Sequence, residues 1–291
     1  MARTIGLLYD PHVVGGDRRD HDSVAIVRRA IEKLNDVGVD WTLLGGDLRS
    51  FTVPTPEENA PYTGWGDWNG DPANYHFRAD FARAKRLFDD ELDGEYFVIR
   101  GNNDRPLSVF REFFPEEEYP LWYWFADGGV RYVFLDSNPS PGYHILDERA
   151  NFVSAPQLSM LERLMDDDPD APTFVFCHTP LAKHTEVKGD WETRRMGAQF
   201  VTLNYLSVQH VLERGNTVLV NTGHYYGGEG RGCKEVEGVE YVTARHLVHG
   251  HDPDYAGDVR WMTVDADART AEVHYYDVGA DEEGTITSAS W

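Results

Sequence analysis

The stretch YFVIRGNND, residues 96–104, carries the pattern that decides the fold. Residues 96–99 form a short apolar run, which is typical of a buried strand. The run is soon followed by Gly101, two amides and a carboxylate. Glycine, asparagine and aspartate are common in turns, so this ending alone fits either an ordinary turn or half of a metal site.

The same pattern recurs along the chain. Apolar runs cover residues 4–9, 41–44, 96–99, 173–176 and 217–220, and the polar residues after them include Asp10, His12, Asp47, Asn102, His178 and His224. Helical periodicity covers residues 22–36, 79–92, 155–165 and 194–214. Strands that alternate with helices predict an α/β fold with parallel pairing, in which sites form at the carboxyl ends of the strands.

The composition limits the class of protein. The chain has 291 residues, 27 basic against 50 acidic, and a net charge of −23. A polyanionic surface poor in lysine is typical of halophilic proteins, although an acidic face for a basic partner is the alternative. Such a charge disfavours non-specific binding to nucleic acid. No apolar run is long enough to span a membrane, and Asp10 comes too early for a signal peptide, so we expect a cytoplasmic protein.

The six polar residues at the strand ends offer oxygen and nitrogen ligands and no thiolate. Mixed carboxylate and imidazole sets suit Mn, Fe, Zn or Ni. The two cysteines, Cys177 and Cys233, do not suggest a disulfide framework. The pattern therefore predicts one or two transition-metal ions at the sheet ends.

The order of these motifs resembles that of the calcineurin-like metallophosphoesterases. The resemblance covers residues 5–226, and a β-rich part to about residue 276 fits the closing strands of that family. It rests on Asp10-x-His12, Gly46-Asp47, Gly101-Asn102-x-Asp104, a later His178 and Gly223-His224. It implies a single domain over residues 1–291, built as an αββα sandwich of two mixed sheets flanked by helices. Residues 51–75, rich in Pro, Gly, Trp and Tyr, are an insertion that either packs near the site or decorates the surface.

The resemblance also implies a two-metal centre. Asp10, His12 and Asp47 would hold one ion, and Asp47, Asn102, His178 and His224 would hold the other, with Asp47 as the bridge. Two ions roughly 4 Å apart can clamp a phosphate and activate a water.

Two positions depart from the family pattern. Asn103 replaces the histidine that the family places beside the leaving group, next to Asp104, and an amide cannot give a proton as a histidine can. Tyr226 replaces a histidine ligand of the first ion. Tyr226 could itself ligate as a tyrosinate, a water could take its place, or the first site could be empty with Tyr226 packed over it.

Other residues could compensate or assist. His246, His249 and His251 lie after the last motif, and His21, His76, His144 and His184 are also available, although each also fits an ordinary loop or strand histidine. Arg105 follows the Asn102 motif and is a candidate contact for phosphate, and Arg18 and Arg19 are weaker candidates.

Three functions remain open at this point. The first is metal-dependent hydrolysis of a phosphorylated small molecule, either a monoester or a diester, with Asn103 and Asp104 at the catalytic positions. The second is a degenerate relative that binds metal or a phosphorylated ligand with little turnover. The third is a protein-interaction scaffold that uses the insertion at residues 51–75. The sequence does not decide the oligomeric state.

Overall fold

The structure is a computed structural model that describes residues 2–14, 23–49, 74–138, 151–182, 201–225, 232–249 and 255–291. In chain order, the strands are β1 (Arg3–Leu8), β2 (Trp41–Leu44), β3 (Glu95–Val98), β4 (Tyr123–Asp127), β5 (Val130–Leu135), β6 (Thr173–Cys177), β7 (Thr217–Tyr225), β8 (Cys233–Val236), β9 (Val239–Arg245), β10 (Asp258–Asp265), β11 (Thr270–Asp277) and β12 (Glu282–Ser290). The helices are α1 (Ser23–Val37), α2 (Asn74–Glu91), α3 (Leu107–Phe113), α4 (Ala155–Asp167) and α5 (Tyr205–Leu212).

The strands form two six-stranded mixed sheets. The first sheet has the order β12-β11-β10-β1-β2-β3, in which β1, β2 and β3 are parallel and β10 to β12 are antiparallel. The second has the order β4-β5-β6-β7-β9-β8, in which β5, β6, β7 and β9 are parallel. The predicted pair of mixed sheets is therefore confirmed.

Alternation of side chains along the strands divides the core into layers. Leu7 of β1 and Phe176 of β6 lie in one buried cluster between the sheets. Their neighbours point the other way: Leu8 packs with α1 and α2, and Val175 packs with α4 and α5. Because successive strand residues face opposite sides, central strands such as β2, β5 and β6 are buried on both faces. The result is the αββα sandwich that the resemblance implies.

Some elements differ from the sequence-based expectation. A hairpin of β4 and β5, turning at Gly128 and Gly129, was not predicted, although both glycines adopt the positive φ that such turns favour. The helix predicted over residues 194–214 occurs only as α5 in the part that is described. Strand β12 extends the β-rich end to Ser290. Residues 51–73 of the predicted insertion lie outside the described residues, and its last two residues belong to α2, which begins at Asn74.

The parallel strands of the two sheets direct their carboxyl ends toward one shared edge of the sandwich, where the polar residues of the sequence motifs collect. None of the helices in the described part of the chain combines the length and apolarity that crossing a membrane requires.

Candidate metal centre

Four candidate ligands occupy unusual backbone conformations at the strand ends. Asp10 and His12 follow β1, Asp47 follows β2, and His224 lies near the end of β7, with φ values of 52°, 42°, 54° and 64°. Positive φ is uncommon for residues other than glycine and is concentrated at functional sites. The turn after each strand is thus shaped to aim a side chain rather than only to reverse the chain.

The first candidate metal group consists of Asp10, His12 and His246, whose ligand atoms all lie within 4.8 Å of one another. Asp10 Oδ1 is 3.4 Å from His246 Nε2 and 3.9 Å from His12 Nε2. The imidazole centroids of His12 and His246 are 5.3 Å apart. All three residues are buried.

The second group consists of Asp47, His178 and His224, with the same 4.8 Å limit between ligand atoms. His178 Nε2 is 3.4 Å from Asp47 Oδ1 and 3.1 Å from the side-chain oxygen of Asn102. The rings of His178 and His224 are 5.1 Å apart. The structure thus brings Asn102 to the group in which the resemblance places it.

Asp47 lies between the two groups. Its Oδ1 is the oxygen near His178, and its Oδ2 is 3.8 Å from His12 Nε2. Asp10 Oδ1 is in turn 3.9 Å from His178 Nε2. One carboxylate with an oxygen toward each group has the arrangement that a bridging ligand requires.

Backbone carbonyls orient two of the histidines as metal binding requires. His178 Nδ1 lies 2.8 Å from the carbonyl oxygen of Gly45, and His12 Nδ1 lies 3.2 Å from that of Arg49. A carbonyl can only accept, so each Nδ1 carries the proton and donates it. Nε2 of each ring therefore faces the carboxylates and is the nitrogen that would ligate a metal ion, as in metal-ligating histidines generally.

The electrostatics of the cluster favour a cation. Burial lowers the pKa of His178, but the carboxylates of Asp47 and Asp10 outweigh burial and raise it to about 10. Burial lowers the pKa of His12 to about 3 and raises that of Asp10. Burial also opposes ionisation of Asp47, but His178 holds its pKa well below the usual range. Buried carboxylates thus attract positive charge, which a metal ion would supply.

The residues fit a transition-metal site. Asp10 Oδ1 is buried and has no hydrogen-bond partner among the described residues, although three histidine nitrogens surround it. Burying such an atom is costly unless a ligand compensates. The available ligand atoms are carboxylate oxygens, imidazole nitrogens and the Asn102 oxygen, a set that suits divalent transition metals.

Asn103 contacts the carboxylate between the two groups. Its backbone N–H donates to Asp47 Oδ1 at 2.7 Å, and its side-chain amide donates to Asp47 Oδ2 at 2.6 Å. The residue that replaces the family histidine therefore holds Asp47 in place. Sequence reasoning identified the substitution but not this contact, because side-chain direction is not encoded in the motif.

Asp104 connects two of the turns that carry candidate ligands. It is fully buried, and its two oxygens accept hydrogen bonds at 2.8 Å from the backbone N–H groups of Leu48 and Gly101. Burial and the charge of Asp47 raise its pKa to about 7. These contacts join the turns after β2 and β3, and the catalytic position of Asp104 stays a prediction.

The remaining predicted residues are less defined. Arg105 is partly buried beside the same turn, where its carbonyl oxygen accepts a hydrogen bond from Arg49 Nε at 3.1 Å, and its contact with phosphate stays a prediction. Tyr226, Arg18 and Arg19 lie outside the described residues, as do His21, His144, His184 and His251.

His246 is the site residue that the sequence motifs did not single out. It directly follows β9, which runs parallel to β7 in the second sheet. The signal was present, since His246 ends an apolar strand as the other ligands do. It is weak because residues 239–244 fall in the β-rich part that fits the closing strands of the family, and the sequence does not indicate that they pair in parallel with β7.

Gly101 is required for the close approach of the two turns. A Cβ at this position would lie 2.1 Å from both the backbone nitrogen and Oδ1 of Asp47. We expect Gly101→Ala to displace Asp47, reduce metal content and destabilise the fold by about 1–3 kcal/mol. Thermal unfolding and metal analysis would measure both effects. Gly284→Ala, on the outer strand β12, is the matched control, and wild-type metal content in Gly101→Ala would contradict the expectation.

Comparisons with known proteins support the fold. No protein-family model matches the chain. No curated protein matches it significantly. Among solved structures, the protein TT1561 of Thermus thermophilus is 14% identical, with a TM-score of 0.50, and the match covers 98% of each chain.

Two further structures match over nearly their whole length. One is a conserved protein described as a predicted phosphoesterase from Streptococcus pneumoniae, which is 11% identical, with a TM-score of 0.36 and 98% of each chain covered. The other is Vps29 of Entamoeba histolytica complexed with zinc, which is 9% identical, with a TM-score of 0.40, covering 99% of this chain and 98% of that chain. The chain shares the fold of TT1561, and its two mixed sheets flanked by helices agree with the architecture that the motif order implies.

Proposed function

We propose that this protein is a metal-dependent phosphoesterase that hydrolyses a phosphate monoester or diester of a small molecule. The observation that carries the proposal is the pair of buried ligand groups with Asp47 between them. Two such groups at one sheet edge are arranged for one phosphate between two ions. The ions would come from the set Mn, Fe, Zn and Ni, because the ligand atoms are oxygen and nitrogen.

The roles of the residues follow from their contacts. When bound, divalent ions would act as Lewis acids that activate a water and offset the charge of the phosphoryl group. His12 and His178 would keep Nε2 available because their Nδ1 protons are held by backbone carbonyls. Asp47 would serve both groups and Asn103 would fix its orientation. Arg105 would contact the phosphate from the turn after β3.

The proposed centre has an amide, Asn103, at the position where the family has a proton donor for the leaving group. Asn103 is an amide, it is bonded to Asp47, and it has no proton to transfer. Loss of a general acid typically costs about 10²–10⁴ in rate, and it matters less when the leaving group is already acidic. We therefore propose that the enzyme prefers esters with acidic leaving groups.

The test is hydrolysis of bis(p-nitrophenyl) phosphate in molar KCl, with added Mn²⁺ or with EDTA. The nitrophenolate leaving group does not need the missing histidine. We expect turnover with Mn²⁺ and none with EDTA. Equal turnover under both conditions would contradict a metal-dependent reaction.

The second candidate is a degenerate relative that binds metal or a phosphorylated ligand with little turnover. It is favoured by the same contact of Asn103 with Asp47, because a group tied to a ligand is not placed to assist departure of an alcohol. Metal binding without hydrolysis of any phosphate ester would favour this candidate over the enzyme.

The acidic surface is proposed to be an adaptation to high salt. The net charge of −23 destabilises the compact state through self-repulsion, which salt screens. We therefore expect the melting temperature to rise as KCl increases from low to molar concentration. Circular dichroism would follow the transition, and a melting temperature indifferent to salt would count against halophilic adaptation.

A further inference from the structure

We propose that His246 is the imidazole ligand that completes the first metal site, in place of a ligand at position 226. The inference rests on the proposed metal centre but not on its turnover. With His246, the first site would have four ligands: Asp10, His12, Asp47 and His246. It also replaces the three alternatives for Tyr226, since none of them is then needed.

The strand register explains how the ligand can change strands. Strands β7 and β9 are neighbours and run parallel, and Tyr225 pairs with Arg245. Residue 246 therefore follows β9 directly after the pair at the end of β7 and β9. Neighbouring strands are about 4.8 Å apart, so an imidazole on either strand can reach the same ion.

Backbone hydrogen bonds fix the segment after β9 against the end of β1. The N–H of Leu247 donates to the carbonyl oxygen of Tyr9 at 3.3 Å, and the N–H of Val248 donates to that of Asp10 at 3.2 Å. The chain next to His246 is thus tied to the backbone of another candidate ligand. This connection makes the position of His246 a property of the fold and not of a free loop.

The side-chain geometry agrees with ligation. His246 is 8% exposed, and its Nε2 lies 3.4 Å from Asp10 Oδ1. His12 Nε2 also lies near that oxygen, at 3.9 Å. The ring centroids of His12 and His246 are 5.3 Å apart. An ion among these atoms would have two imidazole ligands and one carboxylate ligand, and Asp47 would add a second carboxylate.

The experiment measures metal loading without substrate. Each protein is stripped with EDTA, loaded with Mn²⁺, and assayed for bound metal and for its electron paramagnetic resonance spectrum. We expect about two Mn²⁺ per wild-type chain with the signal of a coupled pair, and about one uncoupled Mn²⁺ in His246→Ala. Tyr226→Phe should keep both ions. His210→Ala, at an exposed position of α5, is the matched control.

The outcomes separate this inference from the proposed function. Full loading of His246→Ala, loss of an ion in Tyr226→Phe, or single loading of the wild type would each overturn it. Should His246→Ala fail to fold, His246→Gln provides the same comparison with less change in volume. The expected loading pattern without ester hydrolysis would support the inference while contradicting the enzyme. Metal-dependent hydrolysis with full loading of His246→Ala would do the reverse.

Discussion

Asp47→Asn is expected to abolish metal-supported hydrolysis, with a loss on the order of 10³-fold or more. Asp47 has one oxygen toward each candidate metal group: Oδ1 lies 3.4 Å from His178 Nε2, and Oδ2 lies 3.8 Å from His12 Nε2. An asparagine offers a single neutral oxygen and so cannot serve two cations. The measurement is the rate with bis(p-nitrophenyl) phosphate and Mn²⁺, together with bound metal.

A surface substitution provides the control for Asp47→Asn. Asp166→Asn removes a carboxylate of the same kind, whose side chain is 59% exposed and pairs with Arg214. Surface pairs of this type contribute at most about 1 kcal/mol to stability, so the control should retain full activity. Unchanged metal-dependent hydrolysis in Asp47→Asn would show that the site has been assigned to the wrong residues.

Asn103→His is expected to shift the proposed hydrolysis toward esters with poor leaving groups. A histidine at this position can give a proton to a departing alkoxide, which the amide cannot. We expect the ratio of kcat/KM for an alkyl phosphodiester to that for bis(p-nitrophenyl) phosphate to rise by about 10²-fold. The rate with the alkyl ester should also acquire dependence on a group that titrates near pH 6.5.

The comparison with Asn103→Ala isolates the cause of that shift. Both variants lose the amide bond to Asp47, and both retain the backbone N–H that donates to Asp47 Oδ1. Only the histidine adds a proton donor. If the two variants show the same ratio of rates, position 103 does not supply a general acid in this protein, and the leaving group depends on another residue.

Much of the fold and of the candidate site follows from one local rule. Apolar runs that end in Asp10, Asp47, Asn102 or His178 predict buried strands with ligands at their carboxyl ends, and the structure has β1, β2, β3 and β6 at these places. The prediction succeeds because both parts of the pattern are local. A buried strand requires an apolar run, and the turn after it favours small polar residues. The hairpin of β4 and β5 was missed although its turn carries two glycines.

What could not be predicted depends on contacts between distant parts of the chain. His246 is placed in the site by the pairing of β9 with β7, and a strand register is not visible in a single sequence. The contact of Asn103 with Asp47 depends on a side-chain rotation at the end of β3. Asp104 belongs to the recognised motif, but its hydrogen bonds to the backbone of Leu48 and Gly101 depend on how two turns pack together.

A bound metal ion would affect the stability of the fold, because the candidate ligands come from different sheets. Each candidate group takes residues from both sheets: Asp10 and His12 face His246, and Asp47 faces His178 and His224. An ion in either group would therefore be a cross-link between the two halves of the sandwich, closing loops of more than a hundred residues in the unfolded chain. Cross-links over long loops lower the entropy of the unfolded state the most. A bound metal ion would thus also stabilise the packing of the two sheets at the edge where the candidate site lies.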